Sequence, residues 1–292
     1  MLDYALLAAL AAVIRGGSFE RAARQLHVTP SAVSQRVKLL EERLGTILVV
    51  RGTPCVGTPA GQRLCQHVEQ VALLESELRH ELPGIQDSGP PVTLRIAVNA
   101  DSLATWFVTA MAETRDCLFD LVIDDQEHSA DWLCRGEVLA AVTSGVKPVQ
   151  GCDSTPLGAL RYIATASPDF IRRHFPEGVR DGSLALAPRL TFDGKDQLQA
   201  QWTRQVFGTE ITSATHWLPS SQAFIDAALA GLGWGMNPEM LVAEHLRDGR
   251  LIALIPDQPL DVPLFWQRSR IASGRLADTT RAVLRTAGSM LR

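Results

Sequence analysis

The sequence predicts an α/β chain in two parts: a small all-α head with a long helix behind it, and a larger domain of alternating strands and helices. Three observations carry this. The first 45 residues hold three apolar runs at three- and four-residue spacing, broken at Gly16-Gly17, His27-Val28 and Gly45. A stretch rich in proline and glycine, Pro83-Gly84 and Ser88-Gly89-Pro90-Pro91, reads as a linker. Beyond it, short β-branched runs alternate with helical periodicity over about 200 residues, a length that permits two lobes with a cleft.

Element by element, Leu2, Leu6, Leu10, Val13 and Ile14 fall on one face of a first helix. Ser18 is a suitable N-cap for a second, short helix that buries Phe19, Ala22, Ala23 and Leu26. After the His27-Val28 turn, Thr29 caps a third helix with Pro30 at its first position, where a missing N–H costs nothing. That helix hides Val33, Val37, Leu40 and Leu44. Two helices joined by so tight a turn, the second longer, form a helix-turn-helix. The β-branched run 46–51, turned by Gly52-Thr53-Pro54, supplies a wing. A helix follows from about Thr58-Pro59, with Leu64, Val68, Val71, Leu74, Leu78 and Leu82 in one stripe. A narrow seam on a helix otherwise carrying Glu69, Glu75, Glu77 and Arg79 suits pairing with a second copy, and packing on its own domain is the alternative. The expected boundaries are a winged helix-turn-helix over 1–60, a dimerising linker helix and hinge over 61–91, and a two-lobed α/β domain over 92–292. In that last part strands are expected at 93–98, 118–123, 138–142, 162–165, 189–192, 214–218, 233–237, 251–255 and 264–268, with helices that include 222–230, 239–247 and 277–291.

Composition agrees with two globular domains. The 292 residues are 46% hydrophobic and 21% charged, so real cores need no staples. Cys55, Cys65, Cys117, Cys134 and Cys152 are odd in number and show no Cys-x-x-Cys spacing, which speaks against a disulfide framework or zinc site. No basic stretch precedes an apolar one at Met1-Leu2-Asp3-Tyr4, and no run of about eighteen apolar residues occurs, so neither a signal peptide nor a membrane partner is expected and the cytoplasm is the expected location. The net charge of −4 conceals an asymmetry: residues 1–63 hold eight Lys/Arg against four acids, leaving −8 on the rest. A basic head on an acidic body suits a modular DNA-binding protein.

With Val33, Val37 and Leu40 buried, the third helix turns out Ser31, Ser34, Gln35 and Lys38. Such side chains suit a major groove about 12 Å wide, where Gln35 can bond an adenine edge in bidentate fashion. Ser31 and Ser34 can reach bases or phosphates, and Arg36 and Lys38 neutralise phosphate. Thr29 at the helix start and Arg51 in the wing complete the candidate face. A solvated helix face is the plain alternative.

The segment SFERAARQLHVTPSAVSQRVKLLEERLG, Ser18 to Gly45, closely resembles the LysR-type transcriptional regulators. NADSLATW (from Asn99), RGEVLAAV (from Arg135) and GLGWG (from Gly231) resemble the narrower ArgP/LysG branch of that family. The resemblance runs over the whole chain. It implies a homodimer or homotetramer, a double-stranded DNA operator, RNA polymerase as a partner, and effector domains of two periplasmic-binding-protein-like lobes. It further implies lysine or arginine as effector and control of a basic amino-acid exporter gene.

The residues themselves point to a site. Strand 93–98 ends in Asn99-Ala100-Asp101-Ser102, where a helix starts; ligands of open α/β sheets sit at strand carboxyl ends, and helix N-termini favour anions. Ser102 and Thr105 can hold a carboxylate there, and Asp101 an ammonium. Asp124-Asp125-Gln126-Glu127-His128 follows the next strand, and Asp124 and Glu127 can hold a cationic side chain. Ser221, at another helix start, can reach ligand oxygen, with Thr143 and Trp234 as further candidates. Each has a plainer reading: Asp101 and Ser221 as N-caps, the acids as a solvated loop, Trp106 and Trp234 as core aromatics.

Gly231-x-Gly233-x-Gly235 lacks the Gly-x-Gly-x-x-Gly order and sits between a helix and a strand, so it reads as a helix end and a buried strand. The seven histidines show no metal-binding spacing, and no Gly-x-Ser-x-Gly elbow occurs. No cofactor, metal or catalysis is expected. The competing functions are a small-molecule-binding protein or enzyme with an incidental helical head, an architectural DNA protein without an effector, and a regulator responding to another effector.

Overall fold

The computed structural model describes residues 3–81, 92–115 and 117–292, apart from the side chains at 73 and 76–81. The chain divides into two compact units, Met1–Gly89 and Pro90–Arg292. The Pro83-Gly84 and 88–91 linker and Leu82 of the stripe lie outside the described residues.

In the first unit, α1 (Tyr4–Gly16), α2 (Phe19–Gln25) and α3 (Pro30–Leu44) precede a hairpin of β1 (Val49–Val50) and β2 (Val56–Gly57), and α4 (Pro59–Glu81) follows. The ends are set by short-range chemistry. Asp3 accepts from Ala5 N and Leu6 N, Ser18 from Arg21 N and Thr29 from Ala32 N, each relieving orphan donors of a helix start. Gly17 and Gly45 take φ of +66° at the ends of α1 and α3. Leu7, Leu10 and Val13 meet Ala22, Ala23, Val33, Val37 and Leu40 in one core that also takes in Leu48 of the wing. Glu41 reaches from α3 to accept from Leu48 N and Val49 N, which fixes the wing against the helix. Leu44 departs from the periodic expectation: it is the last residue of α3 and stands 42% exposed at the helix end. The α4 stripe divides. Leu64 and Val68 pack on the head's own core, whereas Leu74 is 49% exposed.

The second unit is built on β3 (Val92–Val98), α5 (Ala100–Ser102), a π-turn over Leu103–Phe107, α6 (Val108–Ala112), β4 (Cys117–Ile123), α7 (Ser129–Cys134) and β5 (Ala140–Thr143). Then come β6 (Cys152–Ala166), α8 (Pro168–His174), α9 (Asp181–Leu186), β7 (Arg189–Thr191), α10 (Leu198–Phe207), β8 (Thr215–Trp217) and α11 (Ser221–Leu229). The chain closes with β9 (Gly235–Pro238), α12 (Glu239–Arg247), β10 (Ile252–Ala253), β11 (Leu260–Ser269), a 3₁₀ turn over Arg270–Ala272 and α13 (Ala277–Met290).

The main sheet runs β10-β6-β11-β5-β3-β4, with β9 also on β6, while β7 and β8 pair by themselves. β3 is parallel to β4 and β5, and β11 runs antiparallel to both β5 and β6. One end of the long β6–β11 ladder lies beside β5, the other beside β9 and β10. The chain therefore passes from the first lobe to the second in β6 and returns in β11. The sequence reading gives β6 only as 162–165, because Pro156 and Gly158 look like strand breakers. In the fold they sit where the β6–β11 register shifts, with Gly158 opposite Leu264 at φ +108°. A Cβ at Gly158 would come 2.7 Å from the Arg292 carbonyl oxygen, so only glycine fits this crossing.

Each lobe has its own apolar packing: Ala97, Leu133, Val138, Ala141 and Cys152 in the first, Leu190, Phe224, Ile225, Ala228 and Val242 in the second. The glycine-rich segment 231–235 ends α11 and enters β9, with Gly235 so close to the Phe224 ring that a Cβ would lie 2.5 Å from it.

Candidate functional site

On α3, Ser31, Gln35 and Lys38 are exposed, and Ser34 and Arg36 are half-buried. Burial of Val33, Val37 and Leu40 leaves this face outward, as the helical period requires. Thr29 is occupied as the cap and its hydroxyl lies 3.0 Å from that of Ser31. Lys38 makes a 3.7 Å pair with Glu42 on the next turn; both are well solvated, so the pair competes weakly with phosphate. Arg51 is exposed in the wing with its guanidinium 5.3 Å from the centre of the Phe19 ring, which holds it close to the start of α2.

Between the lobes of the second unit lies a cavity of about 250 Å³, near the small end of ligand pockets (about 300–1,000 Å³). Its wall comes from the carboxyl ends of strands and the helix starts that follow: Asn99 to Asp101 after β3, Ile123 to Gln126 after β4, and Phe192 to Asp196 after β7. Ser221 and Phe224 of α11 and Met236 to Pro238 of β9 close the second-lobe side. The helical stretch from Ala100 carries its π-turn over Leu103–Phe107, one turn beyond the wall.

Five aspartates line this cavity, at 101, 124, 125, 193 and 196, against a single basic residue, Lys195. Asp101 accepts from Ser221 Oγ at 2.7 Å and Tyr162 Oη at 3.0 Å, joining the first lobe to α11 and β6. The residue is half-buried, yet its carboxyl is recessed, and loss of water pushes its pKa up against the pull of those two bonds. Burial also raises Asp196, although it accepts from Phe192 N, Leu198 N and Gln199 Nε2. Asp125 is pushed up to about 6, first by burial and then by the neighbouring Glu127 and Asp196 charges. Asp124 goes the other way. Partial burial opposes its charge, but bonds from Lys195 Nζ (2.6 Å), Trp132 Nε1 (2.9 Å) and Asp125 N (2.8 Å) hold it below the usual carboxylate range. Among the described residues, three desolvated carboxyls without a salt bridge beside a fourth that has one give the cavity an excess of negative charge.

Of the sequence candidates, the cavity brings together Asn99, Asp101, Asp124 and Ser221. The others lie outside its wall. Ser102 is wholly buried behind it, and Thr105 Oγ1 turns back to the Asp101 carbonyl oxygen at 2.6 Å. Glu127 is exposed and accepts from Gln201 Nε2 at 3.0 Å. Thr143 is buried against Gln267 Nε2, and Trp234 packs in the second-lobe core with its ring 5.5 Å from that of Trp202. The reading chose Glu127 over Asp125 in the acidic loop, and it missed Asp193, Lys195, Asp196, Tyr162 and Asn237. Asp193-Gly194-Lys195-Asp196 follows a strand expected at 189–192 and Asn237 ends one expected at 233–237, so the strand-end rule used in the first lobe reaches both in the second; Tyr162, at the start of an expected strand, gave no such signal.

Among the described residues no helix is long and apolar enough to cross a membrane, and no group of three His, Cys, Asp or Glu is placed to hold a metal ion.

Comparison with known proteins covers both units. The model of bacterial regulatory helix-turn-helix proteins of the lysR family matches residues 4–62, and that of the LysR substrate-binding domain matches 87–287. The HTH-type transcriptional regulator ArgP of Pseudomonas aeruginosa is 46% identical over 294 aligned positions, covering 100% of this chain and 98% of the relative. The crystal structure of ArgP from Mycobacterium tuberculosis superposes with a TM-score of 0.84 at 46% identity, covering 100% and 99% of the two chains. Full-length LysG from Corynebacterium glutamicum, solved with bound effector Arg, has a TM-score of 0.71 at 37% identity and full coverage of both chains.

Proposed function

The chain belongs to the LysR family of bacterial regulatory helix-turn-helix proteins, and on that premise we propose that it is a DNA-binding transcriptional regulator set by a basic amino acid, lysine or arginine, held in the cleft between its lobes. The observation that carries this reading is the five-to-one excess of aspartate over lysine in the cavity, with Asp101, Asp125 and Asp196 desolvated. A ligand cation restores the charge balance that burial disturbs. Lys195 and the helix starts at Ala100 and Ser221 are the groups in the same wall that favour an α-carboxylate. Arginine bound in the LysG relative supports the same class of ligand.

In this reading Ser31, Ser34 and Gln35 meet base edges, Arg36, Lys38 and Arg51 meet phosphate, and the exposed Leu74 end of α4 pairs with a second copy. In the same reading the roles divide into DNA binding over 1–60, pairing and hinge over 61–91, and sensing over 92–292. The regulated gene is that of a basic amino-acid exporter, and the chain acts on RNA polymerase there, in the cytoplasm. Ligand must bind one arrangement of the protein better than another to shift anything.

Calorimetric titration of the full chain with arginine, lysine and norleucine tests the sensing half. Saturable binding of the two basic amino acids, weakened in Asp125→Asn, is the expected result; equal binding of norleucine, or no binding of either basic amino acid, refutes it. A gel shift on promoter DNA across a salt series tests the other half, since phosphate neutralisation makes affinity fall steeply with salt. Transcript levels of basic amino-acid exporter genes, with and without the regulator and with and without added lysine, test the target.

A further inference from the structure

Two walls of the cleft carry an asparagine with one half of its amide committed and the other half free. Asn99, at the end of β3 in the first lobe, is 4% exposed; Asn237, in β9 of the second, is 0% exposed; both line the cavity. Asn99 Nδ2 donates to Gln126 Oε1 at 3.0 Å. Asn237 Nδ2 donates to Thr165 Oγ1 at 2.9 Å and also faces the Gly235 carbonyl oxygen at 3.4 Å. A carbonyl can only accept, so this end of Asn237 is the nitrogen and the orientation of the amide is fixed. The two Oδ1 atoms are buried and receive no hydrogen bond. Buried amide oxygens are nearly always given a donor, and the wall to which both residues belong is rich in carboxylates and so has acceptors in excess.

We propose that Asn99 and Asn237 are ligand-binding residues whose Oδ1 atoms accept N–H donors of the cationic head group, one from each lobe, and that this pair makes the cleft prefer a guanidinium over an ammonium. The inference rests on the reading that the cleft takes a basic amino acid. A guanidinium presents five N–H donors around the edge of a rigid plane. It pairs with a carboxylate along one edge and still has donors for acceptors on both sides. An ammonium has three donors about a single point and is more strongly hydrated, so it gives up more water to reach the same oxygens. A head bound to both lobes at once also ties its occupancy to one placement of the lobes, which is what an effector requires.

The test is calorimetry on the full chain with arginine and with lysine, for the wild type and for Asn99→Ala and Asn237→Ala. The wild type is expected to bind arginine more tightly than lysine; each alanine variant is expected to bind arginine about tenfold more weakly, with a smaller loss for lysine, so that the preference shrinks. Asn237→Asp and Asn99→Asp keep the shape and the acceptor while removing the amide donor, and are expected to bind arginine as tightly as the wild type or more so. They also carry the test if the alanine variants do not fold, as judged by melting without ligand. Wild type that binds lysine as tightly as arginine, folded alanine variants with unchanged arginine affinity, or aspartate variants that lose it, each overturns the inference while leaving the basic-amino-acid reading in place. Wild type that binds neither amino acid overturns that reading and the inference with it.

Discussion

The head and the cleft encode their surfaces in opposite ways. The face on α3 is drawn from one stretch, Thr29 to Lys38, and each residue's exposure follows from the burial of Val33, Val37 and Leu40 three and four positions away. The cleft wall is drawn from Asn99–Asp101, Ile123–Gln126, Phe192–Asp196, the start of α11 and β9, across more than 130 residues of chain. A single periodic helix can display a recognition face; a pocket needs topology to bring strand ends together. Local physics therefore governs the first region, and long-range pairing the second.

The hardest blow to that contrast is a core substitution confined to one unit. Leu10 is wholly buried in the head, and Leu10→Ala is expected to cost about 2–5 kcal/mol, enough to unfold so small a domain. Urea unfolding followed together with arginine calorimetry should show the head's transition lost and ligand affinity retained. Loss of both would mean that the two regions do not stand independently. Next in size, Gln35→Ala should cost about 1–3 kcal/mol of operator affinity and relax preference at one base pair, while Lys38→Ala weakens all DNA alike and reduces the salt slope by about one. Binding isotherms on operator and scrambled DNA distinguish them. Footprints unchanged in both variants would take the recognition face away from this side of α3.

Legibility follows the same division. Caps at Ser18 and Thr29, Pro30 at the first helical turn and Gly45 at the end are local signals, and the three helices lie where these place them. The spacing alone could not say that Leu44 would be left uncovered, because that depends on what faces the helix end. In the second unit β3 and β4 match their expected ranges within a residue or so, whereas β6 is far longer than 162–165 because a ladder with β11 carries it through Pro156 and Gly158. Side-chain roles were harder still. The acids of the 124–128 loop look alike in sequence, yet Asp124 is pinned by Trp132 and Lys195 on the cavity wall while Glu127 turns outward to Gln201. The strand-end rule reaches Lys195, but no local rule pairs it with Asp124, 71 residues away.

The cleft's long-range charge balance gives a pH signature of about one order of magnitude. Asp125 sits at about 6 in the folded protein, above its ordinary value of 3.8, with Glu127, Asp196 and His128 as its charged neighbours. The folded state thus binds more protons than the unfolded one between those values, so the ligand-free second unit should gain stability as pH falls from 7 to 5. The depressed carboxyls Asp124, Asp153 and Asp261 lose their contribution only below 3.8, outside this window. His174, held below its ordinary 6.5 by burial and by Arg173, opposes the gain within it, but it is partly solvated and alone against three raised carboxyls. A cationic ligand needs Asp125 ionised, so arginine affinity should fall about tenfold between pH 7.5 and pH 5. Melting and calorimetry should therefore move in opposite directions, and Asp125→Asn should lessen both, with Asp101 and Asp196, raised by the same burial, supplying what remains. If they move together, the cavity's carboxyls do not govern ligand charge recognition.

The smallest expected effect lies in the head, at a residue whose backbone breaks a local rule. His27, in the turn between α2 and α3, has φ of +53°, a left-handed conformation that costs a non-glycine residue about 1–2 kcal/mol. Histidine is among the residues that tolerate it, and a β-branched side chain is not. His27→Gly removes that cost but loosens the unfolded chain by about 0.5–1 kcal/mol, so a net gain of a few tenths of a kcal/mol is expected. His27→Val should lose about 1 kcal/mol or more, since it keeps the conformation and adds the clash. The urea midpoint of the head's transition should therefore rank Gly at or above His, with Val well below. Because this turn sets the angle between α2 and α3, the glycine variant should hold the operator as the parent does, and the valine variant should lose operator affinity along with stability. Equal midpoints for all three would mean that the turn is not held left-handed, and that the head depends less on local backbone chemistry than its helix caps imply.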